Sequence, residues 1–367
     1  MAVIGGGQAG LATGFYLRRA GLVPGVDFVI LDAAEQPGGA WARMWPTLRT
    51  FSPAQYSSLP GWMMPSYAGY PPAGHVVDYL TRYEERYDLS VQRPVRVHRV
   101  ERADGGLLVR TDKGDWLAEH VVSATGTWSR PFFPTYPGRF RGQQLHTAQY
   151  HRAADFAGQR VAIIGGGNSA AQILAEVSAV ADTTWLTQRP PRFLPDDVDG
   201  RALFNLATAR RQALATPAGS TTSTSTTASA STTASASTTA AGSTTAAGVG
   251  GLGDIVMVEA VREARARGVL DAHPMLTHLT DTGFSLPDGT DQQVDTIIWC
   301  TGFRPALAHL APLALRERDG RIATAETQAL RESRLHLVGY GDWTGPASAT
   351  LIGVGQTTRP LAAALTN

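Results

Sequence analysis

The residues of this chain best placed to do chemistry are glycines. The run Gly5-Gly6-Gly7-Gln8-Ala9-Gly10 fills the G-x-G-x-x-G pattern, and Gly165-Gly166-Gly167-Asn168-Ser169-Ala170 fills it again with alanine in the last place. The two runs start 160 residues apart (165 − 5). In such a turn the first glycine permits a tight bend and the second lets the backbone approach a pyrophosphate. The helix that follows offers unpaired N–H groups and a positive dipole end to the phosphates. Each run therefore marks a dinucleotide site. An acid, Asp32, stands 22 residues after Gly10 (32 − 10), where it would accept hydrogen bonds from the ribose hydroxyls and repel a 2′-phosphate. The first site thus suits FAD or NAD. After the second run the matching place holds Gln188-Arg189, and a cation there favours the 2′-phosphate of NADP. The candidate contacts are Gly5, Gly7, Gln8, Ala9, Gly10 and Asp32 in the first unit. In the second they are Gly165, Gly167, Asn168, Ser169, Ala170, Thr187 and Arg189.

Other chemistries find little support. There is one cysteine, Cys300, so the chain forms no internal disulfide, no Cys-x-x-Cys pair and no thiolate metal site. Neither His-Glu-x-x-His nor the nucleophile elbow G-x-S-x-G occurs. Asp196, Asp197 and Asp199 lack calcium-loop spacing, read as a solvated loop, and leave no metal expected.

The elements that position the glycines are legible around them. Ala2-Val3-Ile4 and Phe28-Val29-Ile30-Leu31 read as buried parallel strands, with a helix from Leu11 to Ala20 between them. Arg160 to Ile164, Ala171 to Ala179 and Thr184 to Thr187 repeat that strand–helix–strand order. Further helices are expected over Asp78 to Tyr87, over Val256 to Arg267 and from near Thr350. Val95 to Val100, the turn Asp104-Gly105-Gly106 and Leu107 to Val109 predict a small antiparallel insertion. Phe284 to Leu286 and Thr296 to Trp299 read as strands flanking the turn Pro287-Asp288-Gly289. Leu335 to Gly339 reads as a strand returning to the first sheet. The predicted fold is α/β, with two Rossmann-like dinucleotide-binding domains. An FAD domain of residues 1–150 and 299–367 receives an inserted NADP domain of 151–298. Phe140 to Tyr150 is the joint between them. Residues 217–250 are nearly all Ser, Thr, Ala and Gly and predict a disordered linker.

With 367 residues, 43% hydrophobic and 17% charged, the chain has mass for two cores. A net charge of +1 gives no field for nucleic acid or an anionic membrane. No apolar run is long enough to span a bilayer, and no basic leader precedes Val3, so a cytoplasmic protein is expected.

Two dinucleotide turns with Phe140, Gly142, His146 and Tyr150 between them fill F-x-G-x-x-x-H-x-x-x-Y, and on that pattern the chain resembles the class B flavin-dependent monooxygenases. Gly38-Gly39-Ala40-Trp41, Ala124-Thr125-Gly126, Cys300-Thr301-Gly302-Phe303 and Gly341-Asp342 match further family motifs. Tyr150, where Baeyer–Villiger enzymes carry Trp, is similar to the N-/S-oxygenating branch. Phe51 to Gln55, Pro195 to Gly200 and Tyr340 to Trp343 look most like the bacterial arsenic-resistance flavin monooxygenases. The resemblance implies FAD in the first domain, NADPH in the second, and O2 activated as a flavin C4a-hydroperoxide that oxygenates a soft heteroatom (S, N, As or Se) of a small molecule. It adds Gly39, Trp41, Val95, Thr125 and Asp342 to the flavin contacts. Many members carry Asn beside the flavin; here Phe51 and Ser52 stand near that place, so the Ser52 hydroxyl or the Gln55 amide is expected to supply its hydrogen bond. His146 and Tyr150 complete the catalytic candidates, with His146 expected to hydrogen-bond across the joint, since nothing fixes an acid–base partner beside it. Two alternatives stand beside oxygenation: an NAD(P)H-dependent flavin reductase or oxidase yielding H2O2, and a redox sensor that binds nucleotide without turnover.

Overall fold

The structure, a computed structural model, describes residues 1–196, 198 and 254–366. Segment 217–250, Asp197 and Asp199 lie outside them. Two sheets dominate. In the first, β3 (Val91–Gln92), β2 (Val29–Leu31), β1 (Ala2–Ile4), β7 (Val121–Ser123) and β20 (Glu332–Leu337) run parallel. The short β19 (Gln328–Ala329) and β18 (Thr324–Ala325) add an antiparallel edge. The second orders β13 (Ala272–Pro274), β10 (Asp182–Thr187), β9 (Arg160–Ile164), β17 (Thr296–Trp299) and β8 (Gln143–His146), all parallel.

Each sheet is covered on both faces, which is why its strands read as unbroken apolar runs. Val3, Ile30 and Val122 pack under α1 (Gln8–Arg19) and the C-terminal helix α5 (Val354–Thr366), which contribute Leu11, Phe15 and Leu361. The alternate residues Ile4, Leu31 and Val121 face β4 (Val97–Ala103) and β5 (Gly106–Thr111) through Val100, Leu107 and Val109. With β6 (Gly114–Ala118) these strands form the expected antiparallel insertion. In the second sheet Val161, Ile163 and Ile298 pack on α3 (Asn168–Val177). Trp45 and Leu48 join that core from the first half of the chain.

The glycine turns fold as their spacing requires. A Cβ at Gly10 would stand 1.8 Å from the Gly5 carbonyl oxygen, so only glycine lets α1 start this close to the strand it follows. Gly165 adopts φ +139°, and a Cβ there would meet the Cys300 carbonyl at 2.3 Å.

Several boundaries differ from expectation. α2 spans Ala73–Arg86, beginning directly after Pro72; Val76, Tyr79, Leu80 and Tyr83 are its buried stripe. α4 is shorter than expected, Glu259–Ala266. The turn 287–289 joins β15 (Gly283–Ser285) to β16 (Asp291–Gln293), which with β14 (His278–Thr280) make a separate antiparallel sheet. Asp-Gln-Gln carries no apolar signal, so β16 was hidden and Thr296–Trp299 took its place in the sequence reading. The short parallel pair β11 (Arg192–Phe193) and β12 (Asp254–Ile255) completes the described strands.

The connection between the halves also moves. Gln143–His146 is β8 of the second sheet, paired with β17 in register His146 to Trp299. The two passages between sheets are residues 124–132 and 300–306, and they pair with each other. Phe132 N–H donates to the Gly302 carbonyl (3.0 Å), Arg304 N–H to Arg130 (2.8 Å) and Ala306 N–H to Gly126 (2.9 Å). Pro131 and Phe303 form the antiparallel bridge between them. Trp128 stacks on Phe303, and the Arg304 guanidinium lies 4.2 Å from the Phe132 ring. The two passages thus form one ribbon.

Candidate active site

A cavity of about 620 Å³ runs along the first glycine turn and past the ribbon to Ser169 at the start of α3; Gly10, Gly165 and Gly167 do not line it. Gly5, Gly7, Gln8, Ala9, Asp32, Gly39, Trp41, Val95, Thr125 and Ser169 all line it, together with Thr147 and Phe303. Neither α1 nor α3 has a side-chain N-cap, so their first N–H groups are left for a ligand. Gln8 is spent on structure: its Nε2 donates to the Ala349 carbonyl (2.7 Å) and its Oε1 accepts from Trp41 Nε1 (3.0 Å). Asn168 likewise holds β12, donating to the Asp254 carbonyl (3.2 Å) and accepting from Val256 N–H (2.9 Å). Ala170 and Thr187 are buried, and Arg189 is exposed beyond the end of β10.

Asp32 ends β2 as expected, but it does not stand alone. Arg93 Nε lies 3.0 Å from its Oδ2, the Arg93 Nη1 bonds Glu84, and Nη2 reaches the Gly6 carbonyl at 3.4 Å. Burial works against the Arg93 charge, and Glu84 and Asp32 more than offset it. One guanidinium thus stands between two carboxylates, leaving the cluster net negative and the Asp32 oxygens fixed in place. Sequence reading missed Arg93 because 61 residues separate it from Asp32.

The four catalytic candidates do not gather in the cavity. Ser52 is buried, and its carbonyl accepts from Thr50 Oγ1 (2.8 Å) and Ser57 Oγ (3.2 Å); Gln55 is exposed; neither lines the cavity. His146 is fully buried. Ala148 N–H donates to its Nδ1 (3.1 Å), so that nitrogen is bare, and Nε2 carries the proton it donates to the Gly302 carbonyl (2.9 Å). Burial lowers the pKa of this imidazole, against the Gly302 bond, which raises it. His146 is a neutral tie from β8 to the ribbon. Tyr150 is buried edge-on to Trp45, and its hydroxyl donates to Glu176 Oε2 (2.7 Å). Burial, and then Glu176, raise its pKa, so the phenol remains a donor. Asp342 lies off the cavity and accepts from Ala347 N–H (3.4 Å); burial raises its pKa. Asp196 pairs with Arg265 through both oxygens. Burial pushes the Cys300 thiol up to about 12, so it is no nucleophile at neutral pH.

Behind Thr125 runs a hydroxyl chain whose protons can be ordered. Thr125 Oγ1 donates to the Ala306 carbonyl (2.8 Å), so it accepts from Tyr340 (2.7 Å). The Tyr340 hydroxyl accepts from Thr125 N–H (3.2 Å) and Ser123 Oγ (2.6 Å), and Ser123 accepts from His309 Nε2 (3.0 Å). The chain fastens β7, the ribbon and the segment after β20 into one cavity wall.

Burial pushes both His309 and His336 down to about 4, helped by Arg316 and His120 respectively. These folded-state values lie below the ordinary histidine value of about 6.5, so the unfolded chain takes up protons first. The stability concerned is fully present above about pH 6.5 and is lost as pH falls toward 4, by up to about 3 kcal/mol per group. Denaturant unfolding at pH 7 and pH 5 should show the loss. Among the described residues neither His336 ring nitrogen has a partner, so His336→Leu removes no hydrogen bond seen there and should flatten the slope. An unchanged slope would assign acid lability to other groups.

Residues 2–203 match the family model described as pyridine nucleotide-disulphide oxidoreductase, and the chain belongs to that family. A flavin-containing monooxygenase from Stenotrophomonas maltophilia is 46% identical, with a TM-score of 0.84 over 100% of this chain and 97% of that one. The oxidoreductase CzcO of Bacillus velezensis is 26% identical over 96% of this chain and 95% of its own length. A Baeyer-Villiger monooxygenase of Streptomyces coelicolor is 34% identical over 58% of this chain and 42% of its own. The chain is, more closely, a flavin-dependent monooxygenase of the class B type, a family that works with FAD, NADPH, O2 and a small-molecule substrate. The uncapped α1 beside Gly7 and Asp32 fits FAD, and the uncapped α3 beside Ser169 fits a second nucleotide. Among the described residues no helix is long and apolar enough to cross a membrane.

Proposed function

We propose that the chain uses NADPH and FAD to place one oxygen atom of O2 on a soft heteroatom of a small molecule, with the other leaving as water. The observation that carries this reading is a cavity lined by Gly5 to Ala9 of the first turn and by Ser169, where α3 leaves the second. NADPH supplies two electrons, and bound FAD supplies the oxygen activation. The chain's own residues bind, orient and exclude water. Gly5 to Gly10 and Asp32 would hold the flavin nucleotide; Gly165, Gly167 and Ser169 would hold the nicotinamide nucleotide, with Arg189 toward a 2′-phosphate. Thr125 and Gly39 would close the wall. His146 and Tyr150 act as positioning residues. The heteroatom preference rests on the Phe140, Gly142, His146, Tyr150 pattern. The FAD unit is taken as residues 1–150 and 299–367 and the NADP unit as 151–298, with β8 of the joint paired to the second sheet.

One observation favours a peroxide-forming oxidase instead: Ser52 and Gln55, expected to supply the hydrogen bond that asparagine gives in many members, do not line the cavity. Turnover with a thioether, a tertiary amine, a trivalent arsenical and a cyclic ketone, with NADPH, peroxide and product all measured, separates the two. Heteroatom oxide matching most of the NADPH consumed is the expected result. Peroxide accounting for all of it with every substrate selects the oxidase, and ketone oxygenation alone overturns the heteroatom.

A further inference from the structure

Glu176 collects donors from distant parts of the chain. Its Oε1 accepts from Trp45 Nε1 (3.2 Å) and Thr47 Oγ1 (2.7 Å), and its Oε2 accepts from Tyr150 (2.7 Å). Among the described residues no cation pairs with it. A carboxylate only accepts, so it alone can take three donors without presenting one of its own. One turn earlier on the same face of α3, the buried Gln172 copies a backbone partner: Arg49 N–H donates to its Oε1 (3.0 Å), and its Nε2 donates to the Arg49 carbonyl (3.2 Å). Both side chains therefore grip the 45–49 segment. That segment walls the cavity through Trp45 and Leu48, while α3 begins at the second glycine turn, where Ser169 faces the same cavity. Gln172 and Glu176 sit roughly 6 and 12 Å along the axis from Asn168. One helix face thus sets the spacing between the wall of the first site and the start of the second.

We propose that Gln172 and Glu176 are positioning residues for hydride transfer, forming with Tyr150 a clasp that fixes the second nucleotide site against the flavin site. The proposal rests on the functional reading above. Hydride transfer is steeply distance-dependent, and misplacement by about 1 Å can cost roughly a hundredfold in rate. Neither residue needs to touch a cofactor for its loss to be felt there.

The test uses the FAD-loaded protein and two readouts. The first is the limiting rate of flavin reduction by NADPH without oxygen, followed by flavin absorbance. The second is hydrogen exchange of the Arg49 amide, which Gln172 holds directly. Glu176→Ala should slow reduction roughly a hundredfold, leave flavin content and the NADPH dissociation constant nearly unchanged, and speed Arg49 exchange. Glu176→Gln should fall between, because its amide meets one of three donors with a donor. Tyr150→Phe should lose a smaller part, with little further loss when combined with Glu176→Ala. If Glu176→Ala does not fold, Glu176→Gln and Tyr150→Phe carry the test. Faster exchange with an unchanged reduction rate overturns the proposal, leaving the clasp a purely structural tie; so does no change in either readout. If NADPH fails to reduce the wild-type flavin, it is the functional reading that falls, and exchange at Arg49 still reports the clasp separately.

Discussion

Gly7→Ala should give a folded protein that no longer retains FAD, whereas Gly10→Ala should damage the protein before any cofactor binds. The two glycines stand three residues apart in one turn, and the space around them differs. Gly7 has φ −83°, which alanine adopts freely, and a Cβ there would lie 3.7 Å from the Gly39 Cα, an ordinary contact. The methyl would project where Gly7 lines the cavity, at the uncapped start of α1, and would compete with a pyrophosphate for the N–H groups. A loss of about 1–3 kcal/mol in flavin binding, up to roughly a hundredfold, is the scale of forcing an extra methyl into a fitted site. At Gly10 the clash is with the chain itself, 1.8 Å from the Gly5 carbonyl, and the strand-to-helix turn must open. Thermal unfolding of both apoproteins and FAD titration of each check this. The apo melting temperature of Gly7→Ala should match the wild type while that of Gly10→Ala falls. Flavin retained by Gly7→Ala would move the pyrophosphate away from this turn.

Arg93→Met should destabilise the protein by about 3–5 kcal/mol and weaken FAD binding as well. Arg93 is mostly buried between two carboxylates, Asp32 and Glu84, each also largely shielded from water. Removing one member of a buried ion cluster leaves the others uncompensated, and that penalty exceeds the worth of the original pair. Among the described residues Glu84 Oε2 already lacks a hydrogen-bond partner, so none of them stands ready to replace Arg93. The flavin effect follows from geometry: Arg93 fixes the Asp32 oxygen that is to receive the ribose hydroxyls. Adding Glu84→Gln to Arg93→Met should recover part of the stability but not the flavin affinity. Chemical denaturation of the apoproteins beside FAD titration would separate the two effects. A stable Arg93→Met that binds FAD normally would show the cluster to be dispensable.

The sequence revealed what is local. The strand, turn, helix and strand around each glycine run leave their imprint within about thirty residues, because buried parallel strands are apolar throughout and the turn tolerates few residues. The hairpin at Asp104 to Gly106 was legible from its turn residues, whereas the place of Val121–Ser123 between β1 and β20 was not: the strand follows the insertion in the chain and reads as part of it. Nor were other pairings across the chain. The contact of residues 124–132 with 300–306 is made by backbone hydrogen bonds, which impose no pattern on side chains. Tyr150 was found by position, but its partner Glu176 sits on an otherwise ordinary helix. Ser52 and Gln55 neighbour a recognisable motif in the chain, yet nearness in sequence did not fix which way they face. Arg93 went unnoticed because one arginine among many in a polar loop carries no mark until Asp32 and Glu84 fold around it.

The ribbon between the two sheets has a mechanical consequence. A pair of antiparallel strands resists stretching and shear, since either would break the bonds from Phe132, Arg304 and Ala306. Bending out of its own plane leaves those bond lengths almost unchanged. Two sheets joined this way are held against spinning past one another, and the core that Trp45 and Leu48 share with α3 holds them a second time. His146 ties β8 to the ribbon through Gly302, and Glu176 ties Trp45, Thr47 and Tyr150 to α3, so ribbon and clasp restrain the same pair of sheets from two sides.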